Sequence, residues 1–151
     1  MGYDFYEKQK SKYLILMVNF YLYIVIFIAI IMQNKSSKEV RSEVLLQSSK
    51  SWNNQPMPAY MEGVPQCTIL KITVPPHSRL ATHTHPMMNA GVVVKGELHV
   101  VDCDGNEITL HEGEPVLECV GKLHYGENLT DSETVLYMFY AGVVGASLSE
   151  K

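Results

Sequence analysis

From Pro56 onward glycine and proline cut the chain into short pieces. Pro56, Pro58, Gly63, Pro65, Pro75, Pro76, Gly91, Gly96, Gly105, Gly113, Pro115, Gly121 and Gly126 leave little room for a helix of ordinary length. Proline breaks the helical hydrogen-bond ladder, and glycine loses the most backbone freedom on ordering. Between the breaks lie CTILKITV, AGVVVK, ELHVV, EITL, PVLECV and TVLYMFYAGVV. These runs are rich in the β-branched and aromatic residues that suit a pleated, half-buried surface. Short strands separated by turns at this frequency predict an all-β sandwich or barrel. In ELHVVDCDGNEITLHEG the Asp104-Gly105 pair supplies the positive-φ positions of a tight hairpin, so the runs on either side are predicted to be antiparallel neighbours.

The N-terminal part has a different character. Residues 13–32 read YLILMVNFYLYIVIFIAIIM, with no charge and with Asn19 as the one strongly polar side chain. A helix of about 20 residues is about 30 Å long, the thickness of a bilayer's hydrocarbon core. The run is apolar on every side, whereas the core helix of a small domain keeps a polar stripe. The organisation predicted is a tail over 1–12, a single-pass transmembrane anchor over 13–32, a linker over 33–41 and a β-barrel domain over 42–151. Lys8, Lys10 and Lys12 would suit a cleaved signal peptide, but the apolar run is longer than such a segment needs and ends IIMQNK without small residues. An uncleaved signal anchor is the reading adopted. Lys35, Lys38 and Arg41 nearly balance the three lysines before the run; the orientation taken puts the N-terminus inside and the domain in the extracytoplasmic, periplasmic space. In QNKSSKEVRSEVLLQSSK the first half reads as linker, and the second as a strand or, on a competing periodicity, a helix.

The chain has 151 residues, enough for one compact domain. A net charge of -4 provides no basic field for a phosphate backbone, so nucleic acid is not an expected partner. The three cysteines, Cys67, Cys103 and Cys119, are too scattered for a disulfide framework or a cysteine zinc site. Cys67 and Cys119 read as small core residues.

Chemistry concentrates in HTHPMMN. Side chains alternate along a strand, so His83 and His85 point the same way, and a redirection at Pro86 would return Asn89 to their face. A third imidazole must come from another strand. Among His77, His99, His111 and His124, the last follows a glycine turn at the head of a strand. His83, His85 and His124 could meet on one metal ion and leave positions open for solvent or ligand. The plainer alternative is three hydrogen-bonded barrel histidines with Asn89 as a strut. His99 sits on an alternating strand, facing either the barrel or water, and His77 and His111 lie in turn-like, solvated contexts. Met87, Met88, Tyr60, Tyr125, Phe139 and Tyr140 line a pocket mouth or belong to the core.

These positions resemble the two motifs of the cupins, G-x5-H-x-H-x3,4-E-x6-G and G-x5-P-x-G-x2-H-x3-N. His83, His85 and Gly96 occupy the first motif, with His77 at its leading glycine and Asn89 at its metal-binding glutamate. Gly113, Gly121, His124 and Asn128 occupy the second, with Cys119 in place of its proline. The resemblance covers roughly residues 42–146 and is close to small single-domain cupins that read NAGVVLKGELTVV and end in FYAG, as Phe139 to Gly142 does. It implies a small double-stranded β-helix with a divalent metal, Fe, Zn, Ni, Cu or Mn, held by His83, His85, His124 and the amide oxygen of Asn89. It also implies a small-molecule ligand or substrate, dioxygenase or isomerase chemistry, and a homodimer in which VLLQSS is exchanged. A non-catalytic module for binding or sensing a small molecule or metal is the alternative. Glu97, Glu118 and Glu127 are candidate general bases only by proximity in sequence.

Overall fold

The apolar N-terminal run forms one helix, α1 (Gly2–Ser36), in a computed structural model that describes residues 2–36 and 39–151. Within α1, Lys12–Met32 has a mean hydropathy of 2.8 and is long and apolar enough to cross a membrane; a signal sequence near the N-terminus passes the same test. Between Tyr13 and Met32 the large apolar side chains are exposed, from Ile24 at 40% to Tyr23 at 75%. Met1 of the expected tail, and Ser37 and Lys38 of the expected linker, lie outside the described residues. Lys38, one of the three positive charges after the apolar run, is among these. The chain divides into two compact units, Met1–Glu43 and Val44–Lys151.

The second unit holds eight strands: β1 (Pro65–Val74), β2 (Ser78–Arg79), β3 (Asn89–Lys95), β4 (Glu97–Asp102), β5 (Glu107–His111), β6 (Pro115–Leu117), β7 (His124–Asn128) and β8 (Thr134–Val143). They form two four-stranded antiparallel sheets, ordered β1-β8-β3-β6 and β2-β7-β4-β5. The predicted hairpin is β4–β5, with Gly105 at φ 83° in its turn. Val44, Leu45 and Leu46 join neither a strand nor a helix. Their side chains are 42–74% exposed, so the apolar patch finds nothing to bury against, and both readings of that segment are corrected.

The core lies between the sheets and follows from period-2 alternation. On β4, Leu98, Val100 and Asp102 turn inward while His99 turns out; on β8, Leu136, Met138 and Tyr140 turn inward while Tyr137 and Phe139 face solvent. Each aliphatic side chain removed from water in this way contributes about 1.5–3 kcal/mol. Gly91 is required by this packing, because a Cβ there would collide with Met138 Sδ and with the carbonyl oxygen of Tyr137. All three cysteines are free; Cys119 is buried as expected, but Cys67 is exposed. On β1 the inner face belongs to Leu70, Ile72 and Val74, which leaves Cys67 on the outer one.

Candidate metal centre

Two separate segments meet at one end of the barrel. His83 and His124 form an antiparallel bridge, each backbone N–H donating to the other's carbonyl at 2.9 Å, and His85 bridges Val120 in parallel. Gly121, at φ 69°, turns the chain into β7. The imidazoles therefore converge because the backbone segments that carry them are paired. Their ring centroids lie 4.7 Å apart for His83 and His85, 4.6 Å for His83 and His124, and 5.1 Å for His85 and His124. His85 and His124 are each 2% exposed, and His83 is half-buried at the mouth.

All three rings are tied back through Nδ1. His83 Nδ1 donates to the Ala81 carbonyl at 2.8 Å, His85 Nδ1 to that of Leu148 at 2.7 Å, and His124 Nδ1 to that of Lys122 at 2.9 Å. A ring whose Nδ1 carries the proton presents a bare Nε2 lone pair, the arrangement that orients metal-binding histidines. The Nε2 atoms of His85 and His124 are buried in the interior.

A carboxylate stands among them. Glu118 Oε2 lies 2.8 Å from His85 Nε2 and 3.3 Å from His124 Nε2, and it accepts a hydrogen bond from Asn89 Nδ2 at 3.2 Å. One donor atom each from His83, His85, Glu118 and His124 falls within 4.8 Å of the others. Lone pairs opposed in a dry interior repel unless a cation lies between them. A proton relieves one such pair, whereas a divalent ion relieves all four, so this donor set fits a metal. Imidazoles with a carboxylate suit Zn, Fe, Ni, Cu or Mn.

The electrostatics follow from the crowding. Burial would raise the Glu118 carboxyl, but its contacts with His124 and His85 hold it well below the ordinary carboxylate range. Burial would lower His124, yet Glu118 raises it overall. Burial and the neighbouring imidazoles lower His83. Tyr140, raised by burial and then by the Glu118 charge, stays a neutral phenol at physiological pH. Burial also pushes the Cys119 thiol up to about 11, which leaves it unreactive beside the centre.

Of the residues singled out from sequence, His83, His85 and His124 come together, and Asn89, 0% exposed, adjoins them through Glu118. His77, His99 and His111 do not join them. They pair on the surface with Asp131, with Thr109 and Glu107, and with Glu97. Glu97 and Glu127 face outward on β4 and β7. Asn128 is a strut: its Nδ2 donates to the carbonyls of Val74, Pro75 and Ser132, and its Oδ1 accepts from the Thr130 amide and hydroxyl. Tyr140 lines the cavity beside the imidazoles, whereas Tyr60 and Phe139 line a groove on the outer face. Glu118 is the member of the cluster that the sequence did not place with the histidines. The signal available was the missing charge at Asn89, which called for a carboxylate from an adjacent strand.

Residues 70–140 match the family model described as Cupin domain. No curated protein matches the chain. Solved structures that it resembles include an uncharacterised conserved protein with a double-stranded β-helix domain from Klebsiella pneumoniae, at 17% identity and TM-score 0.49, covering 75% of this chain and all of that one. A sugar phosphate isomerase of the cupin superfamily from Silicibacter pomeroyi shows 21% identity and TM-score 0.45 over 50% of each chain. A DMSP lyase from Ruegeria pomeroyi shows 16% identity and TM-score 0.49 over 54% of this chain and 41% of the lyase. The chain thus spans half or less of those two enzymes.

Proposed function

Because residues 70–140 form a cupin domain, we propose that it holds one divalent first-row metal ion on His83, His85 and His124, with an oxygen donor from the Asn89 and Glu118 side, and acts on a small oxygen-bearing molecule. The observation that carries this reading is the common tethering of three Nδ1 atoms to backbone carbonyls, with donor atoms of the three imidazoles and Glu118 all within 4.8 Å of one another. When bound, the ion supplies Lewis acidity toward a water or a substrate oxygen.

The chain's own residues set the limits of the chemistry. Leu98, Val100, Leu136 and Met138 give an apolar lining to the cavity of about 40 Å³ that the three imidazoles and Glu118 share. A cavity of that size takes only a few atoms beyond an ion. A substrate would therefore insert its donor group while its remainder stays outside, past the half-buried His83. The Tyr140 hydroxyl, on the same cavity, keeps its proton and can donate a hydrogen bond to an inserted oxygen. The same geometry serves an enzyme of dioxygenase or isomerase type and a non-catalytic module that binds or senses a small molecule or metal. The test is metal content of the full chain purified in detergent, followed by oxygen uptake and product formation with small phenols, thiols and keto acids. One ion per chain with turnover supports the enzyme, one ion without turnover on any member supports the sensing or binding module, and no ion retained at micromolar metal removes both metal readings.

We read α1 as an uncleaved single-pass signal anchor with the domain on the extracytoplasmic side, supported by the apolar run over Lys12–Met32. In place of an exchange of VLLQSS, we propose the outer face of β1 and β8 as the homodimer surface, where Ile69 and Phe139 are register partners, 67% and 44% exposed.

A further inference from the structure

Asn89 and Glu118 stand directly across from each other. The β3–β6 ladder pairs Val92 with Pro115, Gly91 with Val116 and Ala90 with Leu117. The next step of that register sets 89 against 118, and the Glu118 N–H continues the ladder by donating to the Asn89 carbonyl at 3.1 Å. Residues opposed in this way project from the same face of the sheet with their Cβ atoms about 4.5–5.5 Å apart. A carboxylate on either side of the pair can therefore reach the same point in the barrel.

We propose that Glu118 is the oxygen ligand of the metal centre and that Asn89 is a positioning residue that holds it, the two forming a cross-strand exchange of carboxylate and amide. This rests on the metal reading above. The orientation of the Asn89 amide is fixed by chemistry: its Nδ2 faces Glu118 Oε2, and the reverse orientation would oppose two oxygens. The Oε2 atom that accepts this bond is the one 2.8 Å from His85 Nε2. An anionic oxygen is also a far stronger ligand for a divalent ion than an amide carbonyl. Asn89 thereby carries out for Glu118 what the Leu148 carbonyl does for His85, restricting a ligand to one direction.

The exchange is tested by moving the carboxylate back. The full chain in detergent is titrated with Zn²⁺ and with Ni²⁺ against a competing chelator, and the metal-free thermal midpoint of each variant is measured as a check on folding. Glu118→Gln should weaken binding at least tenfold, and Asn89→Ala by only a few fold. The double variant Asn89→Glu with Glu118→Gln should recover affinity to within a few fold of the unaltered chain. If Glu118→Gln does not fold, Glu118→Asp, one methylene shorter, takes its place with the same expected loss. Unchanged affinity in Glu118→Gln, or a double variant no better than that single one, overturns the exchange and leaves the histidine centre standing. An unaltered chain that binds neither ion overturns the metal reading, and the exchange with it.

Discussion

His83 and His124 share a backbone bridge, each N–H donating to the other's carbonyl at 2.9 Å. Such a pair places its Cα atoms about 5.5 Å apart. The separation of the two Cα atoms is thus fixed by the main chain, and the Nδ1 tethers to Ala81 and Lys122 then set the direction of each ring. His83→Ala should keep the bridge and the fold, with a stability change of about 1 kcal/mol or less for a half-buried surface position. Its affinity for Zn²⁺ should fall by about a hundredfold or more, since one of the ligands is lost outright. Thermal unfolding and chelator competition on the same sample check this; a large loss of stability with affinity retained would contradict it.

Gly91 separates packing from ligation. A Cβ at this position collides with Met138 Sδ, and Met138 also lines the cavity beside the imidazoles. Gly91→Ala should cost about 1–3 kcal/mol by overpacking and should weaken metal binding although no ligand is touched. Urea unfolding and metal titration read the two effects. A variant as stable as the unaltered chain would show that Met138 moves freely.

Asp102 predicts a dependence of stability on pH. Burial would raise its carboxyl, but hydrogen bonds from the Asn53 and Asn106 side chains, at 2.8 and 2.9 Å, and from the Asn106 and Asp104 amides, at 3.0 and 2.9 Å, hold it well below its ordinary range. With the native value depressed, the unfolded chain takes up the proton first as pH falls. The stabilisation is therefore complete above about pH 4 and is lost below it, toward the native value. Asp102→Ala should cost about 2–4 kcal/mol at pH 7, and the gap from the unaltered chain should narrow between pH 4 and pH 2. Urea midpoints across that range check it; a constant gap would contradict the assignment.

The outer face of β1 and β8 gives a prediction about assembly. Tyr137 and Phe139 are 45% and 44% exposed on β8, next to Ile69 on β1. Phe139→Lys should shift a dimer to monomer without altering metal binding, because Phe139 faces away from the cavity. Light scattering on the full chain in detergent reads the mass. A chain that is monomeric before substitution would contradict the dimer.

Local chemistry made much of this legible. The Asp104-Gly105 turn announced the β4–β5 hairpin, and the alternation of His83 and His85, with His124 behind a glycine turn, announced a shared point. Pairing between distant segments was not legible. Glu118 faces Asn89 only because β3 and β6 pair in one register, and nothing within PVLECV fixes that register. CTILKITV offers an apolar residue on both faces, so the side on which Cys67 lies is decided by packing against β8. VLLQSS carries an apolar signal with no partner, and it forms no ladder.

If three imidazoles from two segments bind one ion, X-ray absorption at the metal edge of the zinc-loaded full chain will show it. The expected result is a first shell at about 2.0–2.2 Å, with multiple scattering from three imidazole rings and one oxygen donor from a side chain. A shell of water oxygens alone, or scattering from a single imidazole, would contradict it.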